Sequence, residues 1–282
     1  MTAQTPLLEV RGVSLRFGGV RALNGVGFSV APGELFSIIG PNGSGKTSMV
    51  NCISGRYVPS EGQILFKGTN ISGQLPNARA TLGIGRTFQN LALFHHMTVL
   101  DNIMIGRHHL LRNNFLTGAL YWLGARKEEL EHRRRVEEII DFLDLQSVRK
   151  AVAGTLSYGL RKRVEVARAM ALEPTLILLD EPMAGMNLEE KEDMARTIVD
   201  LNEEFDMTVI MIEHDMGVVA DISHRVMVLE LGYKIAEGLP ADVLADPHVK
   251  RAYLGETDDE GARAAAPPAA ETAAETDARV GA

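Results

Sequence analysis

Apolar and polar residues alternate through Leu7–Phe17 (LLEVRGVSLRF), and the short apolar stretch Val26–Val30 (VGFSV) follows it. The pattern predicts two β-strands divided by Gly18-Gly19 and Gly25. A Pro32-Gly33 turn leads into the apolar run Leu35–Ile39, which reads as a strand. Glycines and a helical pattern then reach Gly55, and QILFKG at 63–68 reads as another strand. Residues 98–145 read as mostly helical, with KEELEHRRRVEEIIDFL forming a solvated helix face. Val164, Ala167 and Met170 recur at helical spacing until Pro174. Leu176–Leu179 and Val209–Ile212 read as apolar strands, and Val226–Glu230, a Leu231-Gly232 turn and Lys234–Glu237 as a hairpin. Helix and strand alternate in the second half. That predicts an α/β fold with a parallel sheet, to which the opening strands add an antiparallel one. No internal repeat is visible.

Composition narrows the class. The 282 residues are 45% hydrophobic and 23% charged, ordinary for a globular chain with a sizeable core. From Glu256 onward the sequence is biased to Ala, Glu, Thr and Pro, and reads as a disordered tail. That tail holds seven acids against Arg263 and Arg279, so the overall charge of −8 leaves residues 1–255 at −3. A body so close to neutral lacks the basic excess of a nucleic-acid binder. Cys52 is the single cysteine, which excludes an intrachain disulfide and a cysteine-based zinc site and reads as a small buried side chain. No apolar run reaches membrane-spanning length, and MTAQTPLLEV lacks the features of a secretory signal, so a soluble, reducing, cytoplasmic setting is expected.

The strongest chemical signal is Gly40-Pro41-Asn42-Gly43-Ser44-Gly45-Lys46-Thr47, which fits G-x-x-x-x-G-K-[ST] between a predicted strand and a predicted helix. The glycines allow backbone N–H groups to turn inward as an anion nest. The helix from Lys46 aims the positive end of its dipole at a phosphate. Lys46 is expected to bridge β- and γ-phosphates, and the Thr47 hydroxyl to bind Mg²⁺. A second signal is LILLDEP. Asp180 and Glu181 follow an apolar strand, at the strand end where open α/β sheets bind ligands. Asp180 suits Mg²⁺ through water, and Glu181 suits polarisation of an attacking water.

Between these two motifs lies Leu156-Ser157-Tyr158-Gly159-Leu160, at the head of a helix. It resembles the signature motif of ABC ATPases, commonly LSGGQ. Gln89 in RTFQN resembles the family's Q-loop, Ala184-Gly185-Met186-Asn187 its D-loop, and His214 in IEHDM its switch histidine. Phe17 in LRFGG stands where the family places an aromatic that stacks on adenine. The resemblance covers residues 8–255. It implies a P-loop NTPase core, an N-terminal antiparallel β subdomain, a helical signature subdomain at about 90–172, and a tail at 256–282. RTFQNLALFHHMTVLDNI, LSYG, the D-loop asparagine, IEHDM, and IAEGLPADVL ending in RAYLGE are similar to one of the two ATP-binding subunits of branched-chain amino acid importers. Tyr158 and Leu160 depart from the common Gly and Gln, and Asn187 from the common Asp. Tyr158 and Asn187 suit the importer subfamily.

The resemblance implies ATP and Mg²⁺ as cofactors, with Gln89 joining Thr47 and Asp180 around the metal and His214 contacting the γ-phosphate. It implies a head-to-tail dimer with a second ATPase subunit, in which ATP lies between one phosphate loop and the Ser157 and Gly159 of the other chain. It further implies two membrane permease subunits, a periplasmic or extracellular solute-binding protein, and a peripheral position on the cytoplasmic face of the inner membrane. Uptake of urea or short amides and export of lipopolysaccharide remain open beside amino-acid import, as does a soluble ATPase acting on DNA or ribosomes. His95-His96 and His108-His109 read as surface or interface residues, Arg161-Lys162-Arg163 as an ordinary helix start, and FLTGALYWLGA (115–125) as either a packed helix or a membrane-protein contact.

Overall fold

The computed structural model describes residues 5–87, 93–107 and 122–253, and for 122–128 the backbone alone. The opening alternation forms an antiparallel hairpin of β1 (Leu8–Phe17) and β2 (Val20–Val30). β2 is longer than the sequence predicts, because Gly25 does not end it. With φ at +59°, Gly25 sits in an irregular stretch of the ladder and its N–H donates to Ser14 Oγ at 3.0 Å. The strand absorbs the glycine as a bulge. With β4 (Glu61–Phe66) and β5 (Thr69–Asn70) the hairpin makes a four-stranded antiparallel sheet, β2-β1-β4-β5.

A second sheet has the order β10-β9-β3-β8-β7-β6. Its strands are β3 (Leu35–Ile39), β6 (Ile84–Arg86), β7 (Leu176–Asp180), β8 (Thr208–Ile212), β9 (Arg225–Glu230) and β10 (Tyr233–Gly238). All neighbours are parallel except the predicted β9–β10 hairpin. The three central strands β3, β8 and β7 are buried along their whole length. Their side chains alternate between two cores, as a period of two requires. Phe36, Ile38, Leu176, Leu178, Ile210 and Ile212 pack with the antiparallel sheet and with Met49, Val50 and Ile53 of α1 (Lys46–Ile53). Ile177, Leu179, Val209 and Met211 face the opposite way, into a core built by α5 (Tyr158–Met170) and α6 (Leu188–Glu203). Each such side chain contributes about 1.5–3 kcal/mol by leaving water.

The remaining helices are α2 (Pro76–Leu82), α3 (Val99–Gly106), α4 (Trp122–Phe142), α7 (Met216–Ile222) and α8 (Pro240–Ala245). The predicted helical stretch 98–145 is thus divided into α3 and α4, and 108–121, with His108-His109 and most of FLTGALYWLGA, lie outside the described residues. α3, α4 and α5 pack on one another. α5 begins at Tyr158 because Ser157 caps it, accepting from Leu160 N–H at 3.4 Å. β3, β8 and β7 are adjacent and parallel, and Ile38, Ile212 and Asp180 stand level across them. Their carboxyl ends therefore open onto one edge, where the chain continues as Gly40, Glu213 and Glu181.

Candidate active site

The glycines decide how the chain leaves β3. Gly40 takes φ +144° and Gly45, at the head of α1, takes φ +104°. A β-carbon on Gly40 would collide with the Leu229 carbonyl, and one on Gly45 would lie 2.6 Å from the Ala22 carbonyl oxygen. No other residue fits either place. Gly232 N–H donates to the Ser44 carbonyl at 2.9 Å and ties the loop to the β9–β10 turn. The buried Lys46 turns back over the loop, its Nζ donating to the carbonyls of Gly40 (2.7 Å) and Pro41 (2.8 Å). Asn42, Gly43, Gly45, Lys46, Thr47 and Glu181 line a pocket of about 270 Å³. Backbone amides, a helix N-terminus and an ammonium converge there, which makes the pocket a receptor for a polyphosphate.

The far end of α1 is clamped by two arginines that the sequence did not single out. Arg79, almost wholly buried, donates to the carbonyls of Cys52 (2.6 Å), Ile53 (2.7 Å), Gln74 (3.1 Å) and Ser72 (3.0 Å). Its charge meets the negative end of the helix dipole and satisfies carbonyls that the last turn leaves over. Arg86 donates to Asn51 Oδ1 and Ser54 Oγ, both at 2.7 Å, and to Asp180 Oδ2 at 3.1 Å. Burial pushes the Cys52 thiol up to about 12, so the single cysteine is an unreactive core residue.

Asp180 is fully buried at the end of β7. Burial raises its carboxyl above the ordinary range against the pull of Arg86, and its Oδ1 has no hydrogen-bond partner. An orphaned carboxylate oxygen at the end of β7 is an oxygen donor of the kind that Mg²⁺ takes. Among the described residues no three His, Cys, Asp or Glu cluster together. Gln89, the third expected ligand, lies outside the described residues.

Glu181 takes φ +51°, an uncommon conformation for a residue with a side chain, and its N–H donates to the Ile212 carbonyl at 3.0 Å. The turn brings Glu181 Oε1 to 2.8 Å from His214 Nε2. Both side chains are partly exposed, Glu181 by 19% and His214 by 40%, and Glu181 lines the pocket. Glu213, between β8 and His214, points inward. Its carboxylate accepts from Met183 N–H (3.0 Å) and His214 N–H (3.1 Å), and burial raises its pKa against those two bonds. It joins the chain after Glu181 to the chain before His214.

Phe17, Ser157 and Gly159 do not line this pocket. Phe17 stands half-exposed at the end of β1, edge-on to Tyr57 with ring centres 5.1 Å apart. Ser157 and Gly159 occupy the head of α5, next to the 184–187 turn and α6. A family model described as "ABC transporter" matches residues 23–184, more than half of the chain. The chain belongs to the ABC transporter family of ATP-binding cassettes. A second model, "Branched-chain amino acid ATP-binding cassette transporter", matches residues 234–259.

Among relatives of this cassette, the high-affinity branched-chain amino acid transport ATP-binding protein BraF of Pseudomonas aeruginosa is 40% identical, over 89% of this chain and 98% of that protein. The ADP conformation of an ATP-binding cassette of an ABC transporter superposes with a TM-score of 0.78 at 34% identity, covering 89% of this chain and 100% of that one. A dimeric, post-hydrolysis cassette bound to ADP and Pi superposes with a TM-score of 0.69 at 26% identity, covering 83% and 98%. The α/β fold with its phosphate loop, the ATP-binding character and the ATPase class read from the sequence all hold. The cassette brings the phosphate loop, Asp180, Glu181 and His214 to one sheet edge, and sets the Ser157–Gly159 helix tip apart from them. Arg79, Arg86 and Tyr57 were not singled out in the sequence, because they are defined by partners elsewhere along the chain, and Glu213 was noted only as the residue before His214, its bond to Met183 being hidden.

Proposed function

We propose that this cassette is the ATP-hydrolysing subunit of an importer for branched-chain or related amino acids. The observation that carries the catalytic half is the 2.8 Å contact between Glu181 and His214 beside the phosphate pocket. A carboxylate at that place accepts a proton from the attacking water, and an imidazole bonded to it fixes its direction. Lys46, Thr47 and the loop Gly40–Gly45 hold the phosphates, through the N–H groups of Asn42, Gly43, Ser44 and Gly45 in a turn that Gly40 and Pro41 shape, and Phe17 with Tyr57 offers an aromatic face for adenine. Thr47 and Asp180 hold Mg²⁺, with Gln89 as a third ligand. When bound, the ion supplies charge neutralisation at the phosphate oxygens.

The solute class is supported by BraF and by the C-terminal model over 234–259. Two membrane permeases and a solute-binding protein complete the assembly in this reading, with the cassette peripheral on the cytoplasmic face. Among the described residues no helix is long and apolar enough to cross a membrane, in keeping with a need for such partners. Ser157 and Gly159 meet the nucleotide of a second ATPase subunit, the same chain or a related one, in a head-to-tail pair. The dimeric ADP–Pi cassette supports that arrangement. Residues 1–255 form the ATPase domain, 90–172 its helical part, and 256–282, outside the described residues, an acidic tail.

Purification from mild detergent followed by reconstitution tests the reading. Membrane permeases co-purify, and vesicles containing the complex take up labelled leucine with ATP. Lys46→Ala abolishes uptake. Recovery of ribosomes or DNA without membrane proteins contradicts the transport reading, and uptake of urea but not leucine reassigns the solute.

A further inference from the structure

The head of α5 and the turn that follows Glu181 are interlocked within one chain. Gly185 takes φ +74°, and a β-carbon on it would stand 3.3 Å from Cε1 of Tyr158, so the tyrosine ring lies against the bare face of this glycine. One residue on, Gly159 is packed as closely against α6. A β-carbon there would lie 2.7 Å from Glu190 Oε1. That carboxylate cannot simply swing away. Its other oxygen accepts from Asn187 N–H at 3.1 Å, while Asn187 Oδ1 accepts from Glu190 N–H at 2.9 Å, closing a capping box at the start of α6. Further along the same two helices Arg163 pairs with Asp193 at 3.0 Å. The turn between Gly185 and Glu181 is short and internally bonded, with Ala184 N–H donating to the Glu181 carbonyl and Met183 N–H to Glu213. A rigid path therefore runs from the helix tip through Tyr158, Gly185 and Met183 to the residues that hold Glu181 and His214.

We propose that Tyr158 is a positioning residue that links the two nucleotide sites of the pair. Nucleotide gripped by Ser157 and Gly159 belongs to the other subunit's phosphate loop. The Tyr158 ring reports its arrival to this chain's own 184–187 turn, and hence to its own Glu181. The inference rests on the head-to-tail reading above. It also gives the tyrosine a task that the glycine common at this position in the wider family has no ring to perform.

The test is the ATP dependence of hydrolysis by the assembled transporter. Two linked sites give the wild type a Hill coefficient approaching about 2. Tyr158→Gly removes the ring and lowers the coefficient toward about 1 together with kcat. Tyr158→Phe keeps the ring and retains the wild-type value. A Tyr158→Gly transporter with wild-type cooperativity overturns the inference, as does loss of cooperativity in both variants alike. Each variant is also made in the Glu181→Gln chain and examined for ATP-dependent pairing. If pairs form in Tyr158→Gly/Glu181→Gln but cooperativity is unchanged, the linkage alone is wrong. If the Glu181→Gln parent pairs neither alone nor with the companion ATPase subunit, the head-to-tail reading is wrong and the linkage falls with it.

Discussion

Glu213 illustrates what a single residue does here. It is buried, it accepts two backbone N–H bonds, and those bonds join the turn after Glu181 to the His214 backbone. Glu213→Gln keeps the shape but turns one acceptor into an NH₂ that faces an N–H. Leaving that donor unsatisfied costs about 1–3 kcal/mol. Urea unfolding should show a loss of this size, with slower hydrolysis because His214 shifts from Glu181. An unchanged midpoint together with unchanged turnover would contradict the role. Residues with local motifs were legible in the sequence. Gly40, Lys46, Thr47, Asp180 and Glu181 are set by spacing, because a phosphate loop and a strand end are each built from contiguous chain. Glu213 was legible only as the acid before His214, and its bridging role was hidden because its partner Met183 lies 30 residues away. Arg86 was missed for the same reason, with Asp180 94 residues away.

Among elements, the buried runs Leu35–Ile39, Leu176–Leu179 and Val209–Ile212 were legible as strands, and each extends as read or by one residue. β6 was not, since three residues give no period, and β2 was read short because a bulge glycine looks like a strand end. The link between α6 and α7 was equally hidden. Asp215 caps α7 through the N–H groups of Gly217 and Val218, and accepts from Lys191 Nζ of α6 at 2.8 Å. The Lys191 hydrogen bond, helped by those amides, holds the Asp215 carboxyl below its ordinary range. A carboxyl depressed by folding contributes stability above its unfolded value, about 4, and that contribution is lost as pH falls through the native value. The wild type should therefore be more stable than Asp215→Asn at pH 7, with the gap narrowing as pH falls below about 4. A gap that does not narrow at all on acidification to the point where the carboxyl is protonated would show that the tie is not electrostatic.

At the scale of the whole molecule, one sheet edge gathers phosphate loop, acid and histidine, because three parallel neighbouring strands end there together. The head of α5 stands outside that pocket with a capped N-terminus and Ser157 and Gly159 at its tip. In the proposed head-to-tail pairing, the half-site on each of two faces would complete a site with its partner, and ATP would serve as the adhesive between them. On that proposal, hydrolysis and phosphate release would loosen the pair and so drive the membrane subunits.

Glu181→Gln tests this most directly. The substitution should leave the phosphate loop able to bind ATP while stopping hydrolysis. Light scattering of the full-length variant with Mg²⁺ and ATP, alone and mixed with the companion ATPase subunit of the same complex, should then register a pair in place of the 30.7 kDa chain. The pair should be lost when Lys46→Ala is added. A variant that binds ATP yet stays single in both mixtures, or one that still hydrolyses, would contradict the account.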